Sequence, residues 1–565
     1  MVAIFILALV SGLIFWLQRK TWKIEKNIVF PIVTAVFYFW SLAGSWLFCI
    51  DKITGIGESI GLKYHYLMEK MFNVELDGTY YLVIFLYGLF IVTYQLVCLR
   101  FLKKKHENKV PEIKTDKRPA QLSSLPIVLV AIVCLIGSFM IVKEVIYFSL
   151  ILSESVYINV RSSGVNYYSV HQYFNWTMIF SLYVYLGLYF SKGIRFVEVK
   201  KPSILFWIMF FVANIYLVLI GSRHETFLSG IIALLLFSFP HRSIRKSLKL
   251  YALFGGFFCF ILLVNDPIRA MLPNIASKLG LTASVSTPSN KEKAALFQLD
   301  RTFVIHRSME KSKEFIHLES LKDTVVMVYA DSIKLEKLDL TIRKQEFFEQ
   351  IKEHPNFLIV DGEQMKLPNE KISGAYRNMT FVEKVVHSVT SIVFSNELFA
   401  GHFSLYGILK YDVQPKFGLS FRALLEMMKP KSSRSKDVLD SYSYYAKELN
   451  FPEGQGFTIN HVSGWYLNFS YFGIPIGGAF LALIVIGAYL KQTFASSGVK
   501  ELIWLIILCG ITAFTAMLVR GGPESYKSLI IEAIIVPIVL FYCSILFTRI
   551  LSNLVHKIKG KTTSE

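Results

Sequence analysis

The sequence predicts an all-α integral membrane protein: about eleven transmembrane helices and one large, mainly helical extracytoplasmic loop. Two observations carry this. Apolar runs of roughly 15 to 25 residues, the length that spans a bilayer's hydrocarbon, recur along all 565 residues. Basic residues are also shared unequally between two alternating sets of short loops. A mean hydropathy of +0.47 and 53% hydrophobic residues lie above a soluble globular chain.

The expected spans are 2–17, 28–49, 79–99, 125–147, 171–191, 203–220, 226–240, 250–264, 465–490, 501–519 and 528–548. The first resembles a signal peptide in length, but no basic region precedes it and Gln18-Arg19-Lys20 follow. It reads as a span with its N-terminus outside. One set of segments (18–27, 100–118, 192–201, 241–249, 491–500 and 549–565) holds 26 Lys and Arg. The short segments 50–78, 148–170, 221–225 and 520–527 hold 7. The first set is therefore expected in the cytoplasm, with the C-terminus, and the second outside. The chain divides into an N-terminal membrane domain (1–264, about eight helices), a loop (265–464) and a C-terminal membrane domain with a cytoplasmic tail (465–565).

The loop lands outside. Its 265–460 core has 26 basic and 24 acidic residues, so it is nearly neutral. Charged and apolar residues at three-to-four spacing predict helices over Lys291 to Phe315 and Leu338 to Glu353, and the more apolar Phe381 to Phe399 predicts interfacial helices over the membrane core. A separate soluble domain is the alternative for this loop.

The formal charge of +19 would suggest nucleic acid in a soluble protein; here the topology accounts for it, and no nucleic-acid partner is expected. All six cysteines fall in apolar runs, without CxxC or Cys/His metal spacing. There is no DxD, HExxH, Walker loop or dinucleotide fingerprint, so no metal or cofactor is expected. The short basic loops cannot house a nucleotide domain.

Four motifs on the expected outer face could carry chemistry. Ile220-Gly221-Ser222-Arg223-His224-Glu225 is a tight turn between two spans. A helix starting there aims backbone N–H groups at the turn, Arg223 offers a bidentate fork for phosphate, and His224 and Glu225 can carry protons. Arg520-Gly521-Gly522-Pro523-Glu524-Ser525-Tyr526-Lys527 adds a second guanidinium and permits close backbone approach. Asn159-Val160-Arg161-Ser162-Ser163-Gly164 places Arg161 among tyrosines suited to sugar stacking. The stretch from Asn460-His461 through Trp465-Tyr466 to Gly477-Gly478 is where the large loop returns to the membrane. Each has a plainer reading: a headgroup anchor for each arginine, an aromatic belt for the tyrosines and a structural role for a lone histidine.

In these motifs and in its layout the chain resembles the Wzy-type O-antigen polymerases, the oligosaccharide repeat-unit polymerases of bacterial envelopes. Gly221-Ser222-Arg223 resembles the family's arginine-bearing turn. The segment from Gly464-Trp465-Tyr466-Leu467-Asn468-Phe469 to Gly477 resembles the one that resumes the membrane domain, and Glu397 to Phe417 resembles loop segments before it. The Arg-then-ten-then-Gly spacing of some members follows none of Arg161, Arg223, Arg377 or Arg520.

The resemblance implies a metal-independent membrane glycosyltransferase of the bacterial plasma (inner) membrane. Such an enzyme polymerises undecaprenyl-pyrophosphate-linked repeat units into an O-antigen or capsule polysaccharide on the periplasmic face. Its partners would be lipid-linked glycans, membrane lipid, a chain-length regulator and a flippase. Arg223 would receive the departing pyrophosphate, and His461, His224 and Glu225, in that order, are the candidate proton acceptors. Arg161, Arg520, Arg377, Glu524 and Tyr466 would bind pyrophosphate or sugar. A ligase of the same architecture, a transporter or flippase of lipid-linked sugars, and a sensory membrane protein are the alternatives.

Overall fold

A computed structural model describes residues 2–54, 72–107, 120–151, 168–191, 197–220, 223–238, 396–428, 438–449, 458–495 and 497–562, with Ser435 and seven short strands between 303 and 366. Every expected span except 250–264, which lies outside the described residues, falls on a helix. In order these are α1 (Val2–Ile24), α2 (Val29–Thr54), α3 (Gly78–Glu107), α4 (Ser124–Ile151), α5 (Tyr168–Ser191), α6 (Ile204–Ile220) and α7 (Arg223–Ser238). The loop contributes α8 (Asn396–Lys410), α9 (Leu419–Met428) and α10 (Ser441–Glu448); α11 (His461–Thr493), α12 (Gly498–Leu518) and α13 (Pro523–Ile550) complete the series. Seven of them are long and apolar enough to cross a membrane, so the chain is a multi-pass membrane protein. In lipid every backbone N–H and C=O must be satisfied internally, and uninterrupted helices meet that demand.

The helices bury one continuous core. α3 packs along α1 and α11, α5 lies between α4 and α7, and α12 joins the halves through α2, α7 and α11. Small residues set the closest approaches: a Cβ on Gly187 of α5 would fall 2.8 Å from the Ala233 carbonyl oxygen of α7. Large residues left outside, such as Phe5, Ile136, Ile215 and Val539, form the surface lipid would cover.

Described residues from the two sets of loops meet in separate groups. At one end Lys105 donates to Glu25 (2.9 Å) and to the Tyr489 hydroxyl, Ser123 meets Thr548, and Tyr185 donates to the Lys200 carbonyl (2.6 Å). A short parallel strand pair there, β1 (Ala120–Leu122) and β2 (Val197–Val199), was not foreseen. At the other end Asn460 reaches Ser41, and His402 of α8 meets Tyr80 of α3.

Two expectations need correction. Within the large loop, Lys291 to Phe315 and Leu338 to Glu353, read as helical, hold strands where they are described, whereas the described end of Phe381 to Phe399 is helical as expected and begins α8. β3 (Phe303–Arg307), β4 (Glu314–Leu318), β5 (Val325–Val328), β6 (Ser332–Leu335) and β7 (Leu340–Arg343) form an antiparallel meander, and β8 (Phe357–Val360) pairs with β9 (Glu363–Lys366). In runs of four or five residues a period of 2 cannot be told from one of 3.6; the better signals were β-branched content and the Asp-Gly pair at 361–362 of the sequence.

The second correction concerns α11, expected as a span starting at 465. Its path breaks at Phe469 (φ −143°, ψ 21°) and Ser470 (φ 55°, ψ −147°), so His461–Asn468 is a separate two-turn helix that leans on the span proper from Tyr471. Pro475 lacks the N–H that would bind the Tyr471 carbonyl. Gly473 lets the Trp465 carbonyl touch its Cα, and Gly477 lies under the Trp465 ring.

Gly473→Ala should therefore force α11 apart and cost about 1–3 kcal/mol, the usual penalty of overpacking. Gly12→Ala, with nothing within 4 Å of the new methyl, should leave stability unchanged or slightly raised. Thermal unfolding of the detergent-purified variants checks both.

Candidate functional site

The short helix His461–Asn468 exists because its ends are tied. Asn460 caps it, its side chain accepting from the Val462 N–H (3.0 Å). Its last carbonyls, Leu467 and Asn468, accept from the Lys416 and Gly418 N–H groups just ahead of α9. The Asn468 side chain takes the Ser420 N–H (2.8 Å) and donates to the Ser420 hydroxyl and the Gly464 carbonyl (both 2.7 Å). The large loop is thus bonded to the break in α11.

Against the other side of this helix lies the 519–526 turn. Gly464 and Gly522 face each other so closely that a Cβ on Gly464 would fall 2.6 Å from the Gly522 Cα. The His461 N–H reaches the Val519 carbonyl. The ring of His461 is fully buried: Nδ1 lies 2.8 Å from the Gly521 carbonyl, and Nε2 meets the Trp465 indole N–H (3.1 Å) and the Tyr526 hydroxyl (3.3 Å). An indole N–H only donates, so Nε2 accepts and Nδ1–H donates to Gly521. Both nitrogens are spent on holding the turn. His461, the first-ranked candidate proton acceptor, thus ties the short helix to the turn.

Glu524 is drawn into the same unit. Its carboxylate is buried and accepts from the Ser441 hydroxyl of α10 (2.9 Å), which lies 2.5 Å from the Ser420 hydroxyl of α9. A chain of polar groups therefore runs Glu524–Ser441–Ser420–Asn468 from the turn, through two loop helices, to the break. Gly522 has no room for a Cβ because Ser441 and the Glu524 carboxylate occupy it. Arg520 opens the turn, half-buried, with its N–H on the Met517 carbonyl. Tyr466 is buried and packs edge-on to Tyr471 at 5.3 Å.

Arg223 and His224 occupy the first turn of α7, a helix N-terminus as expected. Glu225 in the same turn is buried, as is His171 near the start of α5. His171 meets the Asn175 amide (3.3 Å), Asn175 Oδ1 accepts from Ser138 of α4 (2.6 Å), and Ser138 lies 2.7 Å from the Tyr216 hydroxyl of α6. Both α5 and α7 pack on α12 or the π-turn Leu529–Ile535 that follows it; Trp176 of α5 donates to the Glu532 carbonyl in that turn (3.2 Å). α5 and α7 thus pack against the helical segments on either side of the α12–α13 connection.

Of the residues singled out in the sequence, His461, Tyr466, Arg520 and Glu524 share one packed unit, and Glu225 belongs to a neighbouring one with Arg223 and His224 above it. Arg161 and Arg377 lie outside the described residues. Ser420, Ser441, His171, Asn175 and Ser138 were missed, and Asn468 was named only as part of its motif; single polar residues in apolar or loop segments carry no spacing signal, although Asn175 and Ser138 are polar groups inside spans. Among the described residues no group of three or more His, Cys, Asp or Glu is placed to hold a metal. No family model, curated protein or solved structure matches this chain.

His402 locks α8 to the bundle: its Nε2 lies 3.0 Å from the Tyr80 hydroxyl and 3.4 Å from Ser45, and its carbonyl accepts from Tyr87 (2.6 Å). Burial pushes its pKa down from 6.5 to about 4. The unfolded chain takes up a proton near pH 6.5 that the fold refuses until about pH 4. Stability should be complete above pH 6.5 and fall toward pH 4 by roughly 3 kcal/mol from this group. Unfolding measured across that window should show a shallower decline in His402→Asn than in the wild type.

Proposed function

We propose that the chain is a glycosyltransferase that joins lipid-linked sugar units at the outer face of a bacterial plasma membrane, releasing a polyprenyl pyrophosphate. The observation that carries this reading is the Arg520–Glu524 turn. A guanidinium and a buried carboxylate four residues apart are held on a double glycine, at the end of an apolar bundle opposite its basic loops. The 26-to-7 bias of Lys and Arg supports placing that end outside.

The chemistry follows from charge. When the bond between sugar and pyrophosphate breaks, negative charge grows on the leaving oxygen. Fixed cations aimed there lower the barrier without reorganisation. The guanidinium groups of Arg520 and Arg223 offer forks that match phosphate oxygens. The attacking hydroxyl must lose its proton. With both His461 nitrogens engaged, the carboxylates of Glu524 and Glu225 are the acceptors these clusters offer. The donor's polyprenyl tail would lie along the lipid-facing helices, which places its pyrophosphate at the boundary where the arginines are. The large loop would hold the sugars.

Arg520→Ala in cells should abolish long surface glycan and leave single capped units, at a cost of about 10²–10³ in rate. Arg520→Lys should rescue poorly, because an ammonium cannot offer the fork. Gel analysis of surface glycan, with membrane abundance of each variant as the control for folding, gives the answer. An unchanged ladder in both variants would remove Arg520 from the reaction, and a product of uniform length in the wild type would favour a ligase.

A further inference from the structure

We propose that α9 is a bilayer-contacting helix: Phe417, Phe421 and Leu425 dip into the acyl boundary of the same membrane that the bundle spans. The inference does not depend on the reaction assigned above.

Phe421 and Leu425 lie four apart on α9, and Phe417, in the turn ahead of it, joins them by packing with Phe421 on the same ring, Phe469. They are left outside: Phe417 is 81% exposed, Leu425 65% and Phe421 37%. The opposite face of α9, Leu419, Ser420 and Ala423, is buried, and it is this face that binds Asn468 and Ser441. α9 is therefore fixed on its inner side and apolar on its outer side.

The occupant follows from what the stripe continues. Phe417 and Phe421 both pack on Phe469, with ring centroids 5.1 and 5.8 Å apart. Phe469 is the residue at which α11 breaks and its membrane span begins. Immediately below, Phe472 (79% exposed), Ile476 and Leu483 are the outward stripe of that span. The apolar surface of α9 is thus joined through Phe469 to the outward, apolar surface of the span. Lys416 and Arg422, both exposed, lie beside the stripe and suit the headgroup layer above it. A helix with one apolar face and flanking cations at that level lies in the interface plane.

The arrangement gives the bilayer a hold on the site. Ser420 points inward from the helix whose outer face would rest in lipid, and through Ser441 it reaches Glu524.

The test replaces Phe417 by Trp in the full chain, reconstituted in vesicles of phosphatidylcholine and phosphatidylglycerol with or without brominated acyl chains. The difference spectrum against the wild type isolates the added indole. A blue-shifted emission that loses most of its intensity in the brominated vesicles is the expected result. A red-shifted emission, meaning water, would overturn the proposal. So would a blue-shifted emission that bromine leaves intact, meaning cover by another part of the loop or a second copy. Phe421→Trp, read in the same way, guards against a local disturbance at 417.

Discussion

A helix that stops at the edge of an apolar bundle leaves carbonyls that must be satisfied, and the break in α11 at Phe469–Ser470 is where this protein meets that demand. The carbonyls of Leu467 and Asn468 are taken by backbone N–H groups that lead into α9. A loop distant in sequence is thereby bonded to the membrane domain at the point where a continuous helix would have needed nothing from it. Unsatisfied groups at such a depth cost several kcal/mol each, so break and loop have to form together.

The remainder of the outer end depends on that unit. With His461–Asn468 turned aside from the span, its outer face accepts the 519–526 turn, and His461 fastens the two. The double glycine is needed because backbone meets backbone there. Glu524 is carried inward to the serines of α9 and α10, and Arg520 is left at the rim. A buried carboxylate is expensive unless its lone pairs are used. The use it finds, Ser441, belongs to the loop. Loop placement and site electrostatics are therefore one problem with one solution.

How much could be read from the residues divides along physical lines. Spans were legible because apolar length is a one-dimensional property: hydropathy placed helices throughout the described membrane domain. The expected sorting of loops to two sides rests on charge alone, since the rule that governs it acts on short loops taken one at a time. The Arg520–Glu524 turn was legible as a motif, because glycines beside a charge at a span end are unusual. What failed was whatever depends on a partner far along the chain. His461 looked like a free base because the sequence does not reveal Gly521, Trp465 and Tyr526 closing on it. The helix break at Ser470 was hidden because a positive φ on a serine comes from packing, with only Pro475 and Gly473 as local hints. The strands of the loop failed for another reason, that four-residue segments are too short for any periodicity to decide.

Oxidative cross-linking of the full chain in native membranes, with Ser420→Cys and Asn468→Cys introduced together, tests the bonding of loop to break most directly. A disulfide there would replace the hydrogen bond it removes. The account predicts rapid, near-complete formation of the bond, and none when either cysteine is present alone. Failure of the pair to cross-link in well-expressed protein would mean that α9 is not seated on the break, and the site built on that contact would fall with it.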